Sequence, residues 1–198
     1  MFRIAVYLLV FLAGVFLSGC GTRKVYYPQS TMVSKPFPVH SLDSRQKNAY
    51  LAAINAVRSQ GRRCGSAGYF SAAPSLRWSE ALYKAAYEHS NDLKTCATFS
   101  HHGSNRPSDW TAKRHNLCRG STLKERIENN GYKKWKYLAE NIERGSSTVD
   151  EVMARWVASD RHCANIMNPI FTHVGMAESQ KEGSRSDHYW TQTFAAHQ

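Results

Sequence analysis

Residues 156–167 read WVASDRHCANIM and place His162 directly beside Cys163. This pair is open to three interpretations: half of a metal site, a cysteine nucleophile with its base, or a disulfide next to a binding histidine. The interpretations require different states of the thiol, and cysteines are oxidised in exported proteins but kept reduced in the cytoplasm. The chemistry of this stretch therefore depends on the compartment to which the chain is sent.

The chain opens MFRIAVYLLVFLAGVFLSGCGTRK, which has the layout of a secretory signal peptide. Arg3 precedes an apolar run over residues 4–17, which is shorter than the stretch of about 20 residues that spans a membrane. The LSGC at 17–20 resembles a bacterial lipobox, which implies cleavage before Cys20 and acylation of that residue. We therefore predict a signal peptide over 1–19 and a lipid anchor at Cys20; an uncleaved N-terminal anchor is the alternative.

The predicted sorting and the net charge of the chain limit the partners that it is expected to bind. By resemblance to Gram-negative lipoproteins, Gly21 after the lipidated cysteine implies the outer membrane, with the chain facing the periplasm. The formal charge is +11, and removal of residues 1–19 takes away only Arg3, which leaves +10. An exported chain without a nucleic-acid motif is not expected to bind nucleic acid. Lipid or an anionic envelope polymer fits this charge better, and a merely solvated basic face is the plainer alternative.

The cysteine count agrees with export. The chain has five cysteines, Cys20, Cys64, Cys96, Cys118 and Cys163. Lipidation of the first leaves an even set of four, which allows three disulfide pairings, and spacing alone does not choose among them. Cys96 and Cys118 bracket a polar, loop-like segment that a bridge would hold together. We therefore expect Cys96–Cys118 and, with it, Cys64–Cys163.

The other two interpretations of the opening stretch are weaker. A cysteine nucleophile needs a free thiolate with its base in contact, whereas Cys163 belongs to the even set expected to pair. Neighbouring residues on a helix point about 100° apart, so His162 and Cys163 would not face each other. No spacing typical of cysteine zinc sites is present.

The sequence predicts a flexible tether followed by one folded domain. Residues 20–42 contain prolines and no periodicity, which predicts a lipidated cysteine followed by a flexible tether. Residues 43–198 have a length that suits a single domain. The first helix of this domain is predicted at about 43–60.

Helix signals come before strand signals within the domain. Ser79 opens a second predicted helix, whose apolar face carries His89, expected as a core histidine. Capping boxes of the T-x-x-E type at Thr122 and Thr148 mark two further helix starts. Alternating and β-branched segments predict strands late in the chain, at 137–143, 172–179 and 188–196. This order favours an α+β fold over a doubly wound one.

Seven blocks in this order resemble the CAP domain, the family of cysteine-rich secretory proteins, antigen 5 and pathogenesis-related 1 proteins, and most of all its bacterial subgroup. They read AAYEHSNDL, FSH, RIENNGY, AENI, WVASDRHCANIM, FTHVGMA and YWTQTFA and extend over nearly the whole of 43–198. The resemblance implies an α-β-α sandwich around a small three-stranded antiparallel sheet.

The resemblance also implies a central cleft. Its motifs assign His101, Glu140 and His162 to the cleft, with His102 as the alternative to His101. Ser159 stands where animal members carry a second glutamate. Two imidazoles and one carboxylate can hold zinc with an open position, so the three residues are candidate ligands for a weakly bound divalent metal.

The sequence is compatible with three functions. The resemblance implies a cleft that binds a ligand, and several family members are associated with sterols or other lipids. A metal-dependent hydrolase would use the same cleft, with Glu140 as a ligand or as the base. A non-catalytic interaction module of the envelope would use the basic surface. Because Ser159 removes a carboxylate, we expect a binding protein rather than an enzyme, and we assign no catalytic residue.

Overall fold

The computed structural model of the chain describes residues 38–184 and 187–197. The predicted signal peptide, the lipidation site at Cys20 and most of the tether lie outside the described residues. Within them, Asp43 caps the first helix, which begins at about the predicted position. The helices of the described ranges are α1 Ser44–Arg58, α2 Glu80–Cys96, α3 Trp110–Arg114, α4 Leu123–Asn129, α5 Val149–Ala158 and α6 Asp160–Met167.

The predicted helix starts are found at the capping residues. Ser79 accepts a hydrogen bond from the N–H of Leu82 at the start of α2. Thr122 and Glu125 form a complete capping box at α4, with side-chain and backbone groups bonded in both directions. Thr148 caps α5, but the Glu151 carboxylate accepts from the N–H of Ser147 instead of returning to Thr148. The second box is therefore only half formed.

The strands are β1 Arg62–Arg63, β2 Tyr69–Phe70, β3 Arg77–Trp78, β4 Trp135–Arg144, β5 His173–Gln180 and β6 His188–His197. The main sheet has the order β3-β5-β6-β4, in which β6 pairs antiparallel with both β5 and β4. These three long strands are the ones that the sequence predicts.

The expectation of a single three-stranded antiparallel sheet is nevertheless wrong in two respects. The short strand β3 is a fourth strand, which pairs parallel with β5. In this pairing Arg77 lies opposite His173. A separate ribbon is made of β1 and β2. Strands of two residues are too short to show the alternation by which a strand is recognised in sequence.

Helices cover both faces of the sheet, in agreement with the expected sandwich. On β5, Val174 and Met176 belong to a core cluster shared with α1 and α5, whose members include Ile54 and Trp156. Ala177, the residue after Met176, packs on the other face against Tyr83 and Ala86 of α2. Because side chains alternate along a strand, this pattern fixes which layer each residue of β5 meets.

Glycine lets α2 come close to the sheet. A Cβ atom added to Gly175 would lie 2.1 Å from the backbone nitrogen of Tyr83. Thr193 of β6 uses the same proximity, since its hydroxyl donates to the backbone oxygen of Leu82 over 2.9 Å. The start of α2 is thereby held directly on the strands.

The predicted Cys64–Cys163 disulfide is present, with the Cα atoms 5.4 Å apart. Both cysteines are buried and pack against Met167. The bridge connects the segment after α1 to the middle of α6. It therefore ties the helix that carries His162 to a segment 99 residues away in the chain.

The predicted Cys96–Cys118 bridge is wrong, because Cys96 is a free thiol. Cys96 is the last residue of α2, and its sulfur lies 3.3 Å from the hydroxyl oxygens of Ser104 and Ser108. Asp92, one turn earlier, accepts hydrogen bonds from both of these serines. The loop is thus fastened to α2 through a carboxylate.

We predict that the observed bridge is a major source of stability. Replacing Cys64 and Cys163 together by serine should lower the free energy of unfolding by about 4 kcal/mol, because a bridge across so long a loop strongly restricts the unfolded chain. Urea denaturation under non-reducing conditions measures the change. Cys96→Ser is the matched control and should change the unfolding free energy far less. An equal loss in both variants would contradict a disulfide effect.

Candidate functional site

Two of the predicted cleft residues meet at the edge strand of the sheet. Glu140 lies in β4, and the Nδ1 atom of His101, from the loop after α2, is 3.0 Å from its Oε1 atom. His162, in α6, approaches from the opposite layer. Burial lowers the pKa of His162, and electrostatic interaction with His101 lowers it further. The two imidazoles are therefore electrostatic neighbours, although 61 positions separate them in the sequence.

Glu140 is buried and held by more than His101. Its Oε2 atom accepts a hydrogen bond from Nη2 of Arg126 over 2.8 Å. The Nε2 atom of His89 lies 3.7 Å from Oε1. Burial alone would raise the pKa of the carboxyl, but Arg126, His89 and the bond to His101 outweigh it and lower the pKa to about 2. Glu140 is therefore a permanent carboxylate at neutral pH.

Arg126 connects three parts of the site. Its guanidinium is 1% exposed and donates to Glu140 and to the backbone oxygens of His101 and Ser121. The residue lies in α4, whose start is fixed by the Thr122 capping box. Buried charges need both a counter-ion and hydrogen bonds, and Arg126 has them. It fixes the loop that presents His101 against the strand that presents Glu140.

His89 is buried, as the sequence predicts, but it has a role beyond simple packing. Its Nε2 atom lies 2.9 Å from the backbone oxygen of Ser100, next to His101. Burial lowers its pKa to about 4, with a further contribution from Arg126, so the ring is neutral at pH 7. Its Nδ1 atom lacks a hydrogen-bond partner among the described residues.

A chain of amides holds α6 against β4. Asn141 donates to the backbone oxygen of His162 over 3.2 Å and to the side-chain oxygen of Gln192 over 3.0 Å. Asn165 donates to the side-chain oxygen of Asn141 over 2.9 Å. With the disulfide at Cys163, these bonds fix the backbone from which the imidazole of His162 projects.

The remaining candidates occupy different positions. His102 is exposed, and its backbone N–H donates to the hydroxyl of Ser100. His101, and not His102, is therefore the histidine that contacts Glu140. Ser159 lies between α5 and α6 and lines a groove together with His162.

This arrangement does not fit a metal ion. In residues 38–184 and 187–197, no group of three or more histidine, cysteine, aspartate or glutamate side chains is placed to hold one. Both carboxylate oxygens of Glu140 already face donors, and the guanidinium of Arg126 is a fixed cation beside them. A second cation at this carboxylate would be repelled. The expected weak site at His101, Glu140 and His162 therefore has no assembled ligand set.

The groove beside His162 has a volume of about 600 Å³. Apolar walls are provided by Phe99, Ile142, Trp156 and Ala158, and polar groups lie at Ser159, His162, Glu143, Arg144 and Arg155. Phe99 stands two positions before His101 and is 55% exposed. The site thus combines a buried charged cluster with an open and largely apolar groove.

Sequence reasoning missed Arg126 as a site residue, although it opens the RIENNGY block. Its signal was an arginine directly before the buried Ile127, inside a short helix with a clear cap. Asn141 was also missed, although it lies beside Glu140 in AENI. A polar residue at a core-facing position can be recognised in the sequence. It indicates a buried interaction, because a buried polar group requires a partner.

The model of the cysteine-rich secretory protein family, CAP, matches residues 51–194. The uncharacterized protein YkwD of Bacillus subtilis is 40% identical over 60 residues, which are 30% of this chain and 21% of that protein. The match thus spans about a fifth of that curated relative.

Two solved structures share the fold. An outer surface protein of Borrelia burgdorferi has a TM-score of 0.55 and 17% identity, over 80% of this chain and 98% of that one. An extracellular SCP-domain protein of Bacillus anthracis has a TM-score of 0.52 and 22% identity, over 79% of this chain and 45% of that one. Because the family model covers most of the domain and these neighbours share its architecture, the chain belongs to the cysteine-rich secretory protein (CAP) family.

Proposed function

We propose that this chain is a non-catalytic binding protein of the bacterial cell envelope that takes a lipid-like ligand in the groove beside His162. The observation that carries the proposal is the groove itself, which has an apolar lining and a volume of about 600 Å³. Ligand sites are typically concave, largely apolar and equipped with a few fixed polar groups. Ser159 and His162 are such polar groups here.

The exposed aromatic ring of Phe99 supports this role. Large apolar side chains at the surface lose contact with water when a ligand covers them, and this favours binding. Phe99 lines the groove together with Trp156, whose Nε1 atom donates to the backbone oxygen of Ile142. His162 offers a neutral ring, since burial and His101 lower its pKa. A neutral imidazole can donate or accept a hydrogen bond to a polar end of the ligand.

The envelope location rests on the sequence and on the relatives. The LSGC motif at 17–20 favours lipidation of Cys20, and Gly21 favours outer-membrane sorting. One structural neighbour is named as an outer surface protein and another as extracellular. No helix in the described part of the chain has the length and apolar character needed to cross a membrane. In this proposal, the acyl chains on Cys20 supply the membrane anchor.

The geometry does not favour a hydrolase. A general base works best with a pKa near the working pH, whereas the pKa of Glu140 is about 2. Its two oxygens are occupied by His101 and Arg126. Glu140 is therefore a structural anchor for His101.

We predict that Phe99→Ala weakens binding of a fluorescent fatty acid by about tenfold, because part of an aromatic wall is lost. Fluorescence titration of residues 35–198 with cis-parinaric acid measures the affinity. Tyr69→Ala is the control, since Tyr69 is 66% exposed but does not line the groove. No binding to the unaltered protein, or equal losses in both variants, would refute the lipid-binding groove.

We also predict that acid destabilises the fold through His89. Its pKa is lowered from 6.5 to about 4, so the unfolded chain takes up a proton more readily than the folded one. Stability should be complete above pH 6.5 and fall by up to about 3 kcal/mol as the pH approaches 4. The lowered pKa of Glu140 adds a separate loss only below pH 4.5.

Urea unfolding of wild type, His89→Gln and His102→Gln at pH 7 and pH 5 tests this prediction. Glutamine cannot take up the proton, so His89→Gln should reduce the difference in unfolding free energy between the two pH values. His102→Gln should retain it, because His102 is exposed. An unchanged difference in His89→Gln would show that His89 is not responsible.

We predict that Cys20→Ala moves the protein from the membrane fraction to the soluble periplasmic fraction. The change removes the acylated residue and with it about 0.8 kcal/mol of membrane affinity for each buried methylene. Fractionation of bacteria that express the full chain measures the distribution. Cys96→Ser is the control, since its free thiol lies in the folded domain. Equal distributions of all three proteins would show that Cys20 is not the anchor.

A further inference from the structure

A second pocket lies at the N-terminal end of β4, next to Lys133 and Lys134. Its volume is about 480 Å³. In the register of the sheet, His197 stands opposite Trp135 at the start of β4, whereas the cleft residue Glu140 stands opposite Thr193. The pocket is therefore separate from the groove beside His162, and no lining residue is shared between them.

The lining of this pocket is basic and contains no carboxylate. Lys133, Lys134, His173 and His197 contribute to it. Burial lowers the pKa of His173, and the charge of Arg77 and the neighbouring His197 lower it further. Arg77 therefore adds to the positive potential at this position. A pocket with several cations and no counter-charge attracts an anion.

Aromatic rings form the rigid part of the pocket. Tyr132 stacks on His197 with ring centroids 4.4 Å apart and an angle of 10° between the planes. The hydroxyl of Tyr132 lies 3.1 Å from Nδ1 of His173, which is also 3.0 Å from the hydroxyl of Thr172. These contacts hold the two imidazoles in place before any ligand arrives. Binding to preset groups avoids the entropy cost of ordering them.

Several hydrogen-bond donors belong to the residues that line the pocket. The Nε1–H group of Trp78 is buried and has no acceptor among the described residues, and Trp78 is part of the lining. Lysine ammonium groups are donors only, and an imidazole ring offers a donor in either neutral form. Phosphate oxygens are acceptors that match such a set.

We propose that this pocket binds a phosphate group carried by a sugar or by a lipid headgroup. The lysines supply charge, the lysines and histidines supply hydrogen bonds, and the rings of Trp78 and Tyr132 supply a flat surface beside them. This assignment is independent of the groove and of its ligand. In this proposal, part of the net positive charge of the chain serves to bind the phosphate group.

The test uses the full-length chain in non-ionic detergent micelles and follows the ring resonances of His173 and His197 by NMR. Three probes are titrated at constant ionic strength: inorganic phosphate, glucose 1-phosphate, and phosphatidylglycerol added to the micelles. Saturable shifts of both histidines are expected. A preference for glucose 1-phosphate would identify a phosphorylated sugar, and a preference for phosphatidylglycerol a lipid headgroup; either supports the pocket.

Two double variants separate the pocket from general charge. Lys133→Gln with Lys134→Gln should weaken the probe that binds best by about tenfold, because two exposed charges are lost at the site. Lys113→Gln with Lys181→Gln removes the same charge elsewhere and should leave the affinity unchanged. Absence of saturable shifts with all three probes, or equal weakening in both double variants, would overturn the proposal.

Discussion

The buried ion pair between Glu140 and Arg126 is the interaction on which the cleft depends. A carboxylate taken out of water loses several kcal/mol of hydration unless a counter-ion and hydrogen bonds replace it. Arg126 supplies the counter-charge, and its Nη1 and Nη2 groups also donate to the backbone oxygens of Ser121 and His101. Removing either partner would leave the other charge buried without compensation. One pair thereby fixes strand, helix and loop with respect to each other.

The position of β4 explains why the cleft lies where it does. An edge strand has backbone groups without a strand partner, and proteins cover them with side chains or loops. Asn165 lies over this edge, 3.5 Å from the backbone oxygen of Glu140. Residues from both helical layers can therefore lie near this edge: His101 is on the α2 side, and His162 belongs to α6. The middle of the sheet, covered on both faces, would not leave room for a ligand.

Sequence predicted the features that depend on local chemistry. Helix starts at Asp43, Ser79 and Thr122 follow from side chains that bond to the next turn, and the three long strands follow from alternation. The choice of His101 over His102 came from family resemblance, and the contact with Glu140 agrees with it. The partners of buried charges are set by tertiary packing, so Arg126 was not foreseen. The same limit applies to Cys96, whose neighbours are polar groups placed by the fold.

The Cys64–Cys163 bridge has a consequence for when the groove becomes complete. His162 is the residue before Cys163, so the wall of the groove is pinned one position away from a covalent bond. That bond forms only where thiols are oxidised. A newly made chain in a reducing compartment would hold α6 by the amide contacts alone. If the chain is exported as proposed, the groove beside His162 would gain this covalent constraint only after the chain reaches an oxidising compartment.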